Sequence, residues 1–308
     1  MLRLGTRGSA LALVQARTVA QLLAADGVEA ELVIITTSGD RLQQAPLPDL
    51  GGKLLFVKEI DDALLAGEID LAVHSAKDMP ALLPDGLDIA AVLPREDPRD
   101  ALVLPHAVRS ANLREALVHL GDTPTVGTGS VRRIAQLTAL LPRAIFAPVR
   151  GNVDTRVRKL DEGKLNALVL ATAGLRRLGL AARISAPIPI AQCIPAPGQG
   201  IIAIEARTGD EATRAVLAPL NDTRAAVSLR AERAVVVALG GSCRLPLGAV
   251  TEHEHDRIRV HGVVASTDGH RVVIREAEGP ASDAEEIGRH LADELTSGGA
   301  NRILDALR

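Results

Sequence analysis

The chain has 308 residues, 47% of them hydrophobic and 24% charged, with a formal net charge of −3. That length exceeds a single core and predicts two or three domains, in a composition ordinary for a folded globular protein. With no Trp, no Tyr and only two Phe, it offers no aromatic platform for single-stranded nucleic acid, and its charge argues against a basic field for duplex DNA. The opening MLRLGTRGSA places Arg3 and Arg7 where a signal peptide needs an apolar run. No run reaches transmembrane length, and Cys193 and Cys243 make no disulfide framework. A cytoplasmic protein without membrane or nucleic-acid partners is expected.

Residues 2–5 read as a short strand and 10–25 as a helix rich in Ala and Leu. ELVIIT (31–36) is a buried strand by its continuous apolar run. Residues 57–67 predict a helix closed by Gly67, followed by strands over 69–75 and 87–93. Such alternation predicts a parallel sheet covered by helices. Residues 94–105, with three prolines and alternating charges, read as a crossing segment or hinge. A second α/β block then runs through a strand and turn at 123–129, a helix in SVRRIAQLTALL, a strand in AIFAPVRG, a helix in NVDTRVRKLDEG and a strand in ALVLATAG.

The two blocks look alike. Gly5-Thr6-Arg7-Gly8-Ser9 precedes a helix containing Gln15, and Gly127-Thr128-Gly129-Ser130 precedes one containing Gln136. This weak repeat predicts two lobes of one fold facing a cleft. After the Pro- and Gly-rich stretch 187–200, IIAIEAR reads as a strand returning to the first lobe. Residues 220–308 form a third unit. Asn221 or Asp222 caps a long helix ending at Gly240-Gly241. Three strands follow, the last two joined by a turn at Thr267-Asp268-Gly269, and Ser282 to Glu285 reads as a capping box opening another helix. A short final helix closes the chain.

Chemistry is suggested at three places. Arg7, Arg132, Arg133, Arg150, Arg156, Arg176 and Arg177 fall at or just after strand-to-helix junctions, which line the ligand crevice of an open α/β sheet. Helix N-termini there, with Ser9, Thr128 and Ser130, add donors. Any one arginine reads best as a solvated charge; the whole set reads as a site for a ligand with several carboxylates or phosphates. Secondly, Ser75, Lys77 and Asp78 follow an apolar strand, where a carboxylate can stabilise a developing cation or handle a proton. The competing reading is an ordinary surface pair before a turn. Thirdly, Cys243 lies past a helix C-terminus, whose dipole does not activate a thiolate; local chemistry alone makes it a structural cysteine. Residues 252–256 (EHEHD) read as a solvated loop rather than a metal cluster, and neither GTGSVRR nor Gly51-Gly52-Lys53 completes a nucleotide-binding motif.

The chain resembles the porphobilinogen deaminase family over essentially its whole length. The matching blocks are GTRGSALALVQA (5–16), GGKLLFVKEID (51–61), DLAVHSAKDMP (70–80), REDPRDALV (95–103), VGTGSVRR (126–133), RGNVDTR (150–156), LATAGLRRLG (170–179), PAPGQG (195–200), ERA (232–234) and CRLPLGA (243–249). The resemblance implies three α/β domains. Residues 1–95 with 196–216, and residues 99–192, would be two periplasmic-binding-protein-like lobes around a cleft. Residues 220–308 would be a smaller α/β domain with a three-stranded sheet. It implies a transferase joining four porphobilinogens into hydroxymethylbilane with release of ammonia, on a dipyrromethane cofactor held by a thioether to Cys243. Asp78 maps onto the catalytic aspartate, beside Lys77. Ser75, Asp78, Thr128, Ser130, Arg132 and Arg133 map onto cofactor-binding positions. Arg7, Ser9, Lys53, Arg150, Arg156 and Arg177 map onto positions for substrate carboxylates. Lys53 and Phe56 fall in the family's mobile flap. Leu54, Ser242 and Thr37-Ser38-Gly39-Asp40 depart from the family pattern. No metal is implied, Cys193 is expected to be a buried spectator, and the chain is expected to be a monomer. The alternative is a non-catalytic anion-binding module of the same bilobal fold; the absence of a DNA-binding segment and the extra Cys-bearing domain argue against it.

Overall fold

The computed structural model describes residues 1–38, 57–240 and 246–306. The expectations placed on Gly39, Asp40, Gly51, Gly52, Lys53, Leu54, Phe56, Gly241, Ser242 and Cys243 therefore lie outside the described residues.

Strand β1 (Leu2–Thr6) leads into helix α1 (Ala10–Ala25). The Ser9 hydroxyl caps this helix by accepting from the Ala12 amide at 3.3 Å. A run of Ala and Leu favours it, and Gly27, at φ 77°, closes it. Then come β2 (Ala30–Ile34), α2 (Lys58–Leu65), β3 (Leu71–Ser75) and β4 (Leu87–Val92). The chain crosses as β5 (Asp100–Val103) and continues through α3 (Leu113–Val118), β6 (Thr125–Gly127), α4 (Val131–Leu140), β7 (Ile145–Ala147), α5 (Val153–Asp161), β8 (Ala167–Ala171), α6 (Thr172–Arg177) and β9 (Ala186–Pro187). It returns as β10 (Ile202–Arg207), followed by α7 (Glu211–Leu217).

The two lobes have the same sheet plan, β2-β1-β3-β10-β4 and β7-β6-β8-β5-β9. The repeat read in the sequence is thus matched by topology. The parallel pairing expected of the first block holds for β1, β2 and β3, but neither sheet is wholly parallel: β10 runs antiparallel to β3 and β4, and β5 antiparallel to β8 and β9. The reversed strand in each sheet is the one that enters from the other lobe. A chain arriving at the crevice starts at the carboxyl ends of the resident strands, so it runs against them. The segment read as a hinge accordingly contains a fully buried sheet strand, β5.

The third unit packs α8 (Thr223–Ala238), β11 (Leu247–Glu254), β12 (Arg257–Ala265), β13 (Val272–Pro280), α9 (Ala284–Ser297) and α10 (Ala300–Asp305) around one aliphatic core. Its three strands form an antiparallel meander. Asp222 caps α8, accepting from the Ala225 amide at 2.7 Å. Two local readings fail. The capping box is not formed: residues 281–283 make a 3-10 turn, and the Ser282 hydroxyl donates to Asp283 instead. Glu252, His253 and Glu254 belong to β11 rather than to a loop, and His253 pairs with the Ser228 hydroxyl at 2.7 Å.

Two small clusters join the units. Ala76, Met79, Val92 and Ile201 pack on Ala225 and Leu229 of α8. Burying a side chain such as Leu229, 3% exposed, contributes about 1.5–3 kcal/mol. Ile194 packs on Val250 and Val263. Between these clusters the two crossing segments touch. Gly200, at φ 91°, lies so close to the Glu96 carbonyl that a Cβ would collide with it.

One buried carboxylate fastens this junction. Glu232 of α8 accepts from both terminal nitrogens of Arg95 at 2.5 and 3.1 Å, from the Gly198 amide at 2.7 Å and from the Thr251 amide at 2.8 Å. Glu232→Ala leaves the part-buried Arg95 guanidinium without its counter-charge and two buried amides unpaired. A loss of about 3–5 kcal/mol is expected, read as a lower urea midpoint at unchanged m-value; wild-type stability would refute this role.

Candidate functional site

A cavity of about 220 Å³ opens where the three units meet, lined among others by Lys77, Ser130, Arg132, Pro197, Arg233 and Leu247. A neighbouring recess of about 70 Å³ in the first lobe is lined by Arg7, Ser9, Gln15, Ser75 and Asp78 among others. The first cavity thus brings Lys77 of one lobe together with Ser130 and Arg132 of the other, and the recess gathers Arg7, Ser9, Ser75 and Asp78. Cys243 lies outside the described residues, but Val236 on α8 and Leu247 at the start of β11, the described flanks on either side of it, both line the cavity.

Asp78 ends a 3-10 turn, Ala76–Asp78, that follows β3 directly. Two anchors hold that turn. Ser75 exchanges hydrogen bonds with Gln15 of α1, accepting from Nε2 at 2.8 Å and donating to Oε1 at 3.1 Å. Beyond Asp78, Arg233 donates to the carbonyls of Pro80 and Ala81 at 2.9 and 2.7 Å. Lys77 lies 3.4 Å from Gln199 Oε1. Burial lowers its ammonium to about 8, with Asp78 resisting the fall and Arg133 adding to it.

Arg132 and Arg133 correct the expectation of an arginine rim. Both are buried on α4, and both are paired to Asp100, which is fully buried on β5. Arg132 Nη2 donates to Asp100 Oδ2 at 2.7 Å and Nη1 to the Ile194 carbonyl at 2.6 Å. Arg133 donates to Asp100 Oδ1 from Nε at 3.0 Å and from Nη2 at 2.7 Å, and to the Val169 carbonyl at 2.9 Å. Burial opposes ionisation of Asp100, but the two guanidinium charges outweigh it and hold the carboxyl well below its usual range. Gln199 Nε2 completes the shell, donating to Asp100 Oδ1 at 2.9 Å and to the Pro98 carbonyl at 2.6 Å. Cys193 Sγ, fully buried, lies 3.5 Å from Asp100 Oδ2. Burial pushes this thiol up to about 12, so Cys193 is an inert member of the cluster.

The remaining predicted residues are placed with graded exposure. Thr128 is buried, and its hydroxyl accepts from the Ser130 amide at 3.2 Å. Ser130 makes no side-chain cap bond to α4, while Ser9 is occupied in capping α1. Arg156 and Arg177 are half-buried. Arg156 donates to the Gly151 carbonyl at 2.7 Å and Arg177 to the Gly200 carbonyl at 2.6 Å. Burial makes each charge costlier; at Arg156 the Arg133 charge adds to this and the Asp78 carboxylate offsets it. Arg150 is exposed and Arg7 half-buried. Arg176 belongs to a surface cluster with Glu96 and Asp97, at 2.8 and 3.5 Å.

Sequence reasoning missed Asp100, Gln199 and Arg233 as site residues. Each lies in a quoted block, but only the fold shows that Asp100 faces Arg132, that Gln199 links it towards Lys77, and that Arg233 pins the loop after Asp78. Chemically, the cleft offers fixed cations, free hydroxyl capacity and one carboxylate. Such an arrangement can hold a polyanion and manage a proton or a positive charge beside it.

Residues 2–215 match the family model described as porphobilinogen deaminase, dipyromethane cofactor binding domain, and residues 226–297 match porphobilinogen deaminase, C-terminal domain. The chain is 48% identical over 308 residues to a porphobilinogen deaminase of Thiobacillus denitrificans, covering 99% of this chain and 98% of that protein. Among solved structures, it is similar to the second substrate binding domain of a putative amino acid ABC transporter from Streptococcus pneumoniae. That match has 14% identity and a TM-score of 0.43, covering 71% of this chain and 92% of that one. The periplasmic VFT2 domain of Bordetella pertussis BvgS matches at 17% identity and TM-score 0.39, covering 70% and 84%. With both domain models matched in order and the relative aligned nearly end to end, the chain belongs to the porphobilinogen deaminase family, and its residues 2–215 form that family's dipyrromethane cofactor binding domain.

Proposed function

We propose that the chain is a transferase that joins four porphobilinogen molecules head to tail into hydroxymethylbilane, releasing ammonia at each addition, on a dipyrromethane held by a thioether to Cys243. In this reading residues 1–95 with 196–216 form the lobe bearing Asp78, residues 99–192 the anion-binding lobe, and residues 220–308 the attachment domain. The protein acts as a cytoplasmic monomer. No described helix is long and apolar enough to cross a membrane.

One observation carries the proposal. Lys77 of the first lobe meets Ser130 and Arg132 of the second in one cavity that Val236 and Leu247, on either side of Cys243, also line, and Asp78, next to Lys77 in the chain, lines a recess of the first lobe. The donors suit a dipyrrole. Each pyrrole of this substrate class carries two carboxylates, and the cleft supplies ammonium, guanidinium and hydroxyl groups held by the protein's own hydrogen bonds. When bound, the dipyrromethane supplies the end from which the chain grows.

The residues divide the work. Arg132, Arg133, Thr128 and Ser130 bind the carboxylates of the bound cofactor. Arg7, Ser9, Arg150, Arg156 and Arg177, with Lys53, bind those of the incoming substrate. Arg bonds carboxylates bidentately and stays charged at any working pH. The Asp78 carboxylate sits where ammonia leaves the substrate, stabilises the positive charge left behind, and holds a proton at the pyrrole nitrogen.

Intact-protein mass spectrometry tests the anchor. The wild type is expected to carry an adduct of dipyrromethane size that Cys243→Ala lacks; an unmodified wild-type mass would falsify the tether.

Asp78→Asn keeps the side-chain shape and removes the charge. It is expected to keep the adduct and lose about 10²–10⁴-fold in turnover. Near-normal turnover would remove Asp78 from the mechanism.

Lys77 gives a pH signature. Its ammonium is retained below about 8 and lost as pH rises through that value, so carboxylate binding weakens on the alkaline side. KM for porphobilinogen is expected to rise above about pH 8 and to rise less in Lys77→Arg, which stays charged. A KM equally flat in both proteins across this range would exclude Lys77 as a carboxylate ligand.

A further inference from the structure

Beneath the sheet of the first lobe, on the face covered by α2, three chemistry-bearing side chains converge. Asp61 comes from α2, His74 from β3 and Glu205 from β10, at 3%, 7% and 0% exposure. One ligand atom from each lies within 4.8 Å of the others. Their surroundings are apolar: Ile60, Ala63, Leu64, Ile69 and Ala72 form the cluster around them. The reaction described above uses none of the three.

Two observations show that the cluster is incomplete as it stands. Asp61 Oδ1, His74 Nε2 and both carboxylate oxygens of Glu205 are buried with no hydrogen-bond partner. His74 Nε2 lies 3.0 Å from Glu205 Oε2, without the alignment that a hydrogen bond needs. Buried polar atoms left unpaired are costly, and unpaired buried charge more so. Four of them meeting at one point call for a shared positive centre, either protons or a cation.

We infer that Asp61, His74 and Glu205 form a closed binding site for a divalent transition-metal ion of the zinc class. The ligand set suits it: imidazole nitrogen and carboxylate oxygens bind such ions at about 2.0–2.2 Å. Tetrahedral ligands at those lengths stand about 3.4 Å apart, and the His74–Glu205 separation of 3.0 Å is already near that edge. Charge balances as well. Two carboxylates and a neutral imidazole sum to −2, which a divalent ion cancels inside an apolar shell.

Without the ion, neutrality takes two protons, one on a carboxyl and one on the imidazole. Ion and protons are therefore alternative occupants, and ion uptake must release protons. The ion would tie α2, β3 and β10 at a point one residue before Ser75 and four before Asp78. Its role is to stiffen the strand that delivers the catalytic turn.

Cobalt(II) serves as a spectroscopic probe on the full-length protein carrying its cofactor, after treatment with chelator and dialysis. The expected result is one equivalent bound per chain, with visible bands of a low-coordinate nitrogen–oxygen site and no thiolate charge-transfer band. Zinc is expected to displace the cobalt stoichiometrically, and zinc added to chelated protein in unbuffered solution to release between one and two protons. Glu205→Gln, which keeps the side-chain shape, is expected to weaken binding about 100-fold or more. If that variant does not fold, the wild-type stoichiometry, displacement and proton release still decide. Absence of bands at stoichiometric cobalt, a thiolate band pointing to a cysteine, uptake without proton release, or wild-type affinity in a folded Glu205→Gln would each overturn the assignment.

Discussion

The cleft depends on the Asp100 carboxylate. It lies on the strand that carries the chain into the second lobe, fully buried, and it meets both Arg132 and Arg133. A single buried guanidinium without a counter-charge would cost several kcal/mol, and two adjacent ones would also repel. Asp100 makes the pair tolerable and leaves a net charge of about +1 on the three side chains together. In the proposed reading that residue of charge, fixed by hydrogen bonds to Ile194 and Val169 carbonyls, is an anion site whose geometry exists before any ligand arrives. Preorganised cations of this kind need no reorientation on binding, whereas solvated surface arginines must first be ordered.

The same carboxylate explains the positions of the two crossing segments. Gln199, on the return crossing, donates to Asp100 and to the Pro98 carbonyl on the outward one, and its other amide atom faces Lys77. Arg95, also on the outward crossing, bonds the Gln199 carbonyl at 2.9 Å and Glu232 of the third unit. The second carboxylate, Glu232, therefore does for the junction with α8 what Asp100 does for the cleft. Two buried acids, each saturated by arginine and amide donors, hold three separately folded cores around one opening. The apolar contacts between the cores are small clusters of Ala, Val, Ile, Leu and Met, so polar saturation carries much of the specificity of that arrangement.

How much of this was legible in the sequence follows from the range of each signal. Elements with many turns or a continuous apolar run, such as α1, α8 and β3, were readable because periodicity is local. The six-residue helices α3 and α6 were not, since they are too short to establish a period. The sequence did not show that β5, inside the presumed hinge, is a strand, nor which way β5 and β10 run, because direction is set by where the chain arrives from, a long-range fact. Asp100 reads in the sequence as one more charge in an Asp-Pro-Arg-Asp run, and nothing local distinguishes it from Asp97, which pairs with Arg99 two residues away at 2.7 Å. The capping box failed for the opposite reason: a valid local motif lost to a 3-10 turn between β13 and α9. Asp78, Lys77 and Ser75 were placed correctly because the apolar run before them fixes the strand and the proline after them ends the turn.

The arginines are graded rather than equivalent, and the grading suits a ligand whose charge grows. Arg132 and Arg133 are buried and internally compensated; Arg156 and Arg177 are half-buried with one carbonyl partner each; Arg150 is exposed. In the proposed reaction every addition brings two more carboxylates into the cleft. A site of wholly uncompensated buried cations would repel itself when empty, and one of wholly exposed cations would bind weakly through screening. A compensated inner pair can hold a permanent cofactor. Partly desolvated outer arginines, whose positive charge burial has made costly, gain most when a new carboxylate arrives. In that proposed reaction, the burial that makes those guanidinium charges costly is the same quantity that strengthens their pairing with each incoming carboxylate.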